Sequence, residues 1–233
     1  MHFLLLGATG RTGQCVVSEL LSQGHTAVAL VRKPEAVQAQ SGLTVVPGSP
    51  LVKSDIETAL SASSPLKVDA AIITLNTVRE SDSPFARQVS PPRFLADCSV
   101  NVCQVLEQAG ISRVVFMSTA GCGNSWENLS FLARAFMGWT NVKYALKDHN
   151  LVDQEVRKHS LNWTMVRSVK LDFDPAWRRE NKSMPDIEVL DDTGRGMSLS
   201  DSVDTANVAK FLVKVAVEDL YSREAVVVRE RKH

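Results

Sequence analysis

Phe3-Leu-Leu-Leu-Gly-Ala-Thr-Gly-Arg-Thr-Gly13 decides how this chain folds. Its first four residues form an unbroken apolar run, as a strand covered on both faces requires. Gly7, Gly10 and Gly13 follow at intervals of three, and Gln14-Cys-Val-Val-Ser-Glu-Leu-Leu21 continues as a helix. Strand, glycine loop and helix in that order suit the pyrophosphate of a dinucleotide. The first glycine permits the turn, the second lets backbone approach phosphate, and the third lets the helix pack close to the sheet. Free N–H groups and the dipole at the helix N-terminus then favour the anion. The expected cradle is Gly7, Thr9, Gly10, Arg11, Thr12 and Gly13.

The next strand, Thr26-Ala-Val-Ala-Leu-Val31, ends in Arg32-Lys33. An acidic residue there would accept the adenosine ribose hydroxyls and favour NAD. Two cations instead suit the 2′-phosphate of NADP, with Arg11 as a third. The alternative is that Arg32 and Lys33 only close an exposed strand.

Working outward, apolar runs alternate with helical patterns as far as residue 171, which predicts a Rossmann-type, doubly wound parallel α/β sheet. Strands are expected at Leu43–Pro47, Val68–Leu75, Arg113–Ser118, Trp163–Arg167 and Ala225–Arg229. Helices are expected near Asp55–Ala62, Pro92–Ala109, Asp148–His159 and Thr205–Val217. The chain reads as a single NAD(P)-binding domain, residues 1–233, with a core over about 1–171 and a small C-terminal substrate lobe, last helix and strand over about 172–233. Two stretches follow the carboxyl ends of strands, where open α/β sheets bind ligands. One is the polar loop 76–91; the other is 121–146, with Trp126, Phe131, Phe136, Trp139 and Tyr144. Both are expected to wall a substrate pocket, unless the aromatics only fill a satellite core. Asn76 and Thr77 are expected at cofactor ribose or phosphate.

Lys plus Arg equals Asp plus Glu at 26 each, so no bulk field favours nucleic acid or an anionic membrane. The basic Arg229-Glu-Arg-Lys-His233 reads as a solvated tail. Cys15, Cys98, Cys103 and Cys122 lack metal-binding or disulfide spacing and read as thiols, with no metal site expected. No run reaches the length of a membrane span and no signal peptide precedes the first strand. The expectation is a cytoplasmic protein, monomer or homodimer, acting on a small molecule.

Gly7-Ala-Thr-Gly-Arg-Thr-Gly13, Val31-Arg32, Met117-Ser-Thr119, Asp148-His149 and Leu161-Asn-Trp-Thr-Met-Val-Arg167 resemble the atypical short-chain dehydrogenase/reductases. Within that group the chain is similar to the NmrA-like and biliverdin reductase B-like NAD(P)H-binding proteins. Asp192-Thr-Gly-Arg-Gly196 and Asn207-Val-Ala209 extend the resemblance over most of the chain. It implies a nicotinamide cofactor and oxidoreductase chemistry, with Ser118 and Thr119 after the fifth strand at the cofactor or substrate.

The usual family pair is a Tyr with a Lys one helical turn later, the ammonium lowering the phenol pKa. Here Tyr144-Ala-Leu-Lys147 is one residue short, and counting back from Leu161 puts Ala145 and His149 at those positions. Ser118, His149, Lys147 and Tyr144 are therefore the catalytic candidates. Imidazole titrates near neutral pH, so His149 suits proton transfer; the alternative for His149 is a structural donor to backbone, for Ser118 a loop cap, and for Lys147 and Tyr144 an exposed or core role. Trp163 reads as core and Arg167 as a brace at a strand end. Three functions stay open: an NADPH-dependent reductase of a small aromatic, quinone or ketone-like molecule, a redox-neutral isomerase, cyclase or dehydratase, and an NmrA-like nucleotide-sensing regulator.

Overall fold

The computed structural model describes residues 1–174 and 183–231. Ten strands are described: β1 His2–Leu6, β2 Thr26–Val31, β3 Leu43–Pro47, β4 Ala70–Ile73, β5 Arg113–Thr119, β6 Asn162–Ser168, β7 Lys170–Asp172, β8 Ile187–Leu190, β9 Ser202–Asp204 and β10 Glu224–Glu230. The α-helices are α1 Arg11–Ser22, α2 Lys53–Ala62, α3 Phe94–Gln108, α4 Phe131–Trp139, α5 Val142–Val156 and α6 Thr205–Val217. The main sheet has the order β3-β2-β1-β4-β5-β6-β10-β8, parallel except for the antiparallel edge strand β8. A small parallel pair, β7 with β9, stands beside it. The chain leaves β1 toward β2 on one side and returns to β4 on the other, so the strand order reverses between β1 and β4. That reversal opens a crevice at the carboxyl end of the sheet.

Alternation along the strands builds two cores. Leu4, Leu6, Val114, Phe116 and Met165 face α2, α3 and α5, joined there by Ile56, Cys98, Val102, Leu106 and Val156. Phe3, Leu5, Ile72, Val115 and Val166 face α1 and α6, against Val16, Leu20, Val208 and Leu212. Each fully buried Leu or Val contributes roughly 1.5–3 kcal/mol, which is why β1 and β4 are apolar from Phe3 to Leu6 and from Ala70 to Ile73.

The structure departs from the sequence expectations at particular places. β4 is shorter than Val68–Leu75 because its ladder with β1 covers only Phe3–Leu6. At its start the Asp69 carboxylate accepts the His2 N–H at 2.8 Å. At its end the Thr74 N–H donates to Leu6 at 2.8 Å. α5 begins at Val142, not near Asp148, because Leu146 is buried one turn ahead of His149, Val152 and Val156. Within 121–146, where the sequence assigns no element, the structure has a 3-10 turn over Gly123–Asn128 and α4. Arg229 and Glu230 are not a solvated tail but end β10, where Arg229 donates to Glu188, Asp201 and the Gly196 carbonyl. Lys232 and His233 of that expected tail, and 175–182 of the expected lobe, lie outside the described residues.

Candidate active site

The glycine loop joins β1 to α1 at the mouth of the crevice. Gly7 has φ +94°, and a Cβ there would lie 2.7 Å from the Thr74 carbonyl carbon, so the turn must pass against the end of β4. A Cβ at Gly13 would lie 2.0 Å from the Gly7 oxygen, so α1 sits directly on the loop. At Gly10 a Cβ would meet only the Gly7 oxygen, at 3.3 Å, and the other side is open. Gly10 is the N-cap of α1, no side chain caps the helix, and its first turn holds no acidic residue. The leading N–H groups have no intrahelical acceptor and are left for an anion. Thr9 and Arg11 are exposed and Thr12 is buried beside them.

Arg32 and Lys33 are exposed at the end of β2 and pair with no acid among the described residues. The Arg32 guanidinium lies 6.0 Å from the Phe94 ring centroid. A groove lined by Ala8, Gln14, Val17, Val37 and Gln40 runs between α1 and the chain that follows these cations. Arg11 differs from the expectation of a free phosphate ligand. It contacts Asp82 at 3.3 Å and covers the Phe173 ring at 3.6 Å. Asp82 is 87% exposed, and such a surface pair is worth at most about 1 kcal/mol, so an incoming phosphate competes with it easily. Asn76 is exposed and accepts the Thr77 N–H at 2.8 Å, a local turn immediately beyond Thr74. These residues fit a dinucleotide: open space at Gly10, an uncapped helix and, one strand away, two cations without an acid partner among the described residues.

Farther along the sheet edge, Ser118 is buried at the end of β5. Its hydroxyl lies 3.2 Å from the Cys122 Sγ and 3.4 Å from the His149 Nδ1. Both partners hold it weakly, so the O–H can turn to a ligand. Thr119, half-buried, donates to the Ala120 carbonyl at 3.2 Å. His149 corrects the sequence expectation. Burial in α5 pushes its pKa from the ordinary 6.5 down to about 4, because no acid offsets the cost of charging the ring. The imidazole is neutral at physiological pH, with its Nδ1 toward the Ser118 hydroxyl. Burial likewise raises the Cys122 thiol, so the cysteine beside Ser118 is not a thiolate.

Asp148 explains why His149 stands there. α3 begins after Arg93, which has φ 62° and no capping side chain. The Asp148 carboxylate accepts the Leu95 N–H at 2.8 Å and the Ala96 N–H at 3.1 Å, so α5 caps α3 from across the interface. Burial raises the Asp148 pKa, opposed by those two bonds. An unhelped helix start at Phe94 was the available sequence signal. Arg167 is fully buried, donating to the Asp153 carboxylate and the Asp192 carbonyl, each at 2.7 Å. It thereby fixes β6, α5 and the 191–193 turn behind Ser118.

Tyr144 and Lys147 are not brought to this cluster. Both are exposed on the outer side of α5, and Tyr144 faces Lys143 at 5.4 Å. Among the aromatics of 121–146, Phe131, Phe136 and Trp139 point to solvent, while Trp126 is half-buried. α4 is apolar on its outer side and turns Ala133 inward.

The NAD(P)H-binding family model matches residues 7–219. A curated relative, photosystem II assembly factor Ycf39 from Synechocystis, is 32% identical over 152 residues, 63% of this chain. The chain spans only 43% of that relative's length. Among solved structures, ChuY, an anaerobilin reductase from Escherichia coli O157:H7, superposes with a TM-score of 0.75 at 22% identity, covering 100% of this chain and 98% of ChuY. A short-chain dehydrogenase/reductase from Veillonella parvula in complex with NADP gives 0.72 at 18% identity, covering 98% and 94%. At these identities the structures speak for the fold. The match over nearly the whole chain, on the glycine loop and crevice just described, makes this protein a member of the NAD(P)H-binding family.

Proposed function

We propose that the chain is an NADPH-dependent reductase that adds hydride to a small, flat acceptor of aromatic, quinone or ketone type. The observation that carries this reading is the buried Ser118 hydroxyl, loosely held between Cys122 and His149 at the carboxyl end of β5. NADP is favoured over NAD by Arg32 and Lys33, which replace an acid at the end of β2. Gly10 and the first turn of α1 would hold the pyrophosphate, with Asn76 and Thr77 beyond β4 at ribose or phosphate. When bound, the cofactor supplies the hydride. Ser118 donates its O–H to the acceptor oxygen and stabilises the negative charge that develops there. His149 is a positioning residue that keeps the hydroxyl directed, and with its ring neutral the product oxygen takes its proton from water. Tyr144 and Lys147 take no part.

The test is loss of reduced nicotinamide absorbance with a panel of quinones, flavins and aromatic ketones. Ser118→Ala should lower kcat/KM about 100-fold, the usual cost of one such donor, while Tyr144→Phe stays near wild type. No turnover with any acceptor, or abolition of turnover by Tyr144→Phe alone, would overturn the reading.

A further inference from the structure

α4 buries little and displays much. Ala133 is its buried residue, and Ser130 caps it by accepting the Ala133 N–H at 3.2 Å. On the outer side Phe131 is 82% exposed, Leu132 66%, Phe136 50% and Trp139 85%. At 100° per residue these four share one arc of about 140°. Phe85, 70% exposed, adjoins them, its carbonyl accepting the Asn141 Nδ2–H at 2.9 Å where α4 meets α5. Tyr144, 45% exposed, stands one turn into α5. A contiguous aromatic face of this kind on an otherwise ordinary surface marks an interaction site.

The charge around the face identifies its partner. The whole chain is neutral, yet residues 128–147 contain Arg134, Lys143 and Lys147 and no Asp or Glu. Arg87 adds a fourth cation beside Phe85, in a loop that also carries Glu80, whose N–H donates to the Arg87 carbonyl, and Asp82, which pairs with Arg11. None of the four forms an ion pair among the described residues; Arg134 bonds only the carbonyls of Glu127 and Leu129. Glu127 borders the stretch on one side, and Asp148 on the other is buried with its carboxylate held by α3. Exposed aromatic tips beside Arg134, Lys143 and Lys147, in a stretch without acids, match a headgroup layer carrying anionic lipid, into which Trp and Phe seat while Lys and Arg reach the headgroups. A second copy across a two-fold axis would set these cations against each other. No helix among the described residues is long and apolar enough to cross a membrane, so the contact is with the surface.

We propose that the outer face of α4, with Phe85 and Tyr144, seats the chain on an anionic lipid surface. The full chain should co-sediment with phosphatidylserine/phosphatidylcholine vesicles at least about tenfold better than with phosphatidylcholine alone, and less at high salt. Trp139 emission should shift to the blue on binding. Phe131→Ser with Trp139→Ser should lower binding about tenfold or more while circular dichroism and NADPH affinity stay as in wild type, and Lys143→Gln should weaken binding only to the anionic vesicles. Absent binding, equal binding to both vesicles, or a concentration-dependent dimer dispersed by the double variant would each overturn the proposal. The assay needs no turnover, so it stands or falls apart from the assignment of the cleft.

Discussion

Replacing His149 by Phe tests the claim that this ring is held neutral. The imidazole is buried and its pKa lies at about 4 instead of 6.5. The unfolded chain therefore takes up the proton near pH 6.5, and the folded chain only near pH 4. Between those values the unfolded state binds more protons, so the folded protein loses stability as pH falls through the window and the group contributes nothing above it. At about 1.4 kcal/mol per unit, a drop from pH 7 to 4.5 costs wild type about 2–3 kcal/mol from this residue. His149→Phe lacks that loss. The lost contact to Ser118 is common to both pH values and cancels in the comparison. His2 and His25, whose pKa values are also lowered, are present in both proteins and cancel too. Urea unfolding of both proteins at the two pH values should show the variant gaining about 2–3 kcal/mol on wild type. An unchanged difference would mean that His149 titrates like a solvated histidine, and its assignment as a neutral positioning residue would fail.

Gly13→Ala puts a methyl 2.0 Å from the Gly7 oxygen and should destabilise by about 1–3 kcal/mol or more. Gly10→Ala has room and should cost no more than about 1 kcal/mol, while still weakening NADPH binding; thermal melts and a fluorescence titration separate the two. Asp153→Ala leaves the fully buried Arg167 guanidinium without its carboxylate and should cost about 3–5 kcal/mol in denaturant unfolding. Asp153→Leu with Arg167→Met should recover part of that loss, since an apolar pair leaves no buried charge.

What the sequence showed, it showed through periodicity. β2 and β3 coincide with the expected Thr26–Val31 and Leu43–Pro47, because each is a short, largely apolar run bounded by polar residues or glycine. The start of α5 was hidden because Asp148 and His149, both polar, occupy buried positions in its apolar stripe. α4 was hidden for the opposite reason: its large apolar residues face solvent, so no inward face stood out. The glycine loop was readable because each glycine meets a local demand, the φ of Gly7 and the contact at Gly13. The Ser118–Cys122–His149 cluster depends on where α5 lies against β5, and that follows from Asp148 capping a helix more than fifty residues earlier in the chain. No local pattern carries such a bond.

The central claim is tested most directly by calorimetric titration of NADPH and NADH against wild type and Arg32→Ala. A charge-assisted contact to the 2′-phosphate contributes about 1.5–3 kcal/mol, so wild type should bind NADPH at least about tenfold more tightly than NADH, and Arg32→Ala should lose most of that preference while its NADH affinity is unchanged. Equal affinities in wild type, or a preference that survives Arg32→Ala, would contradict the account.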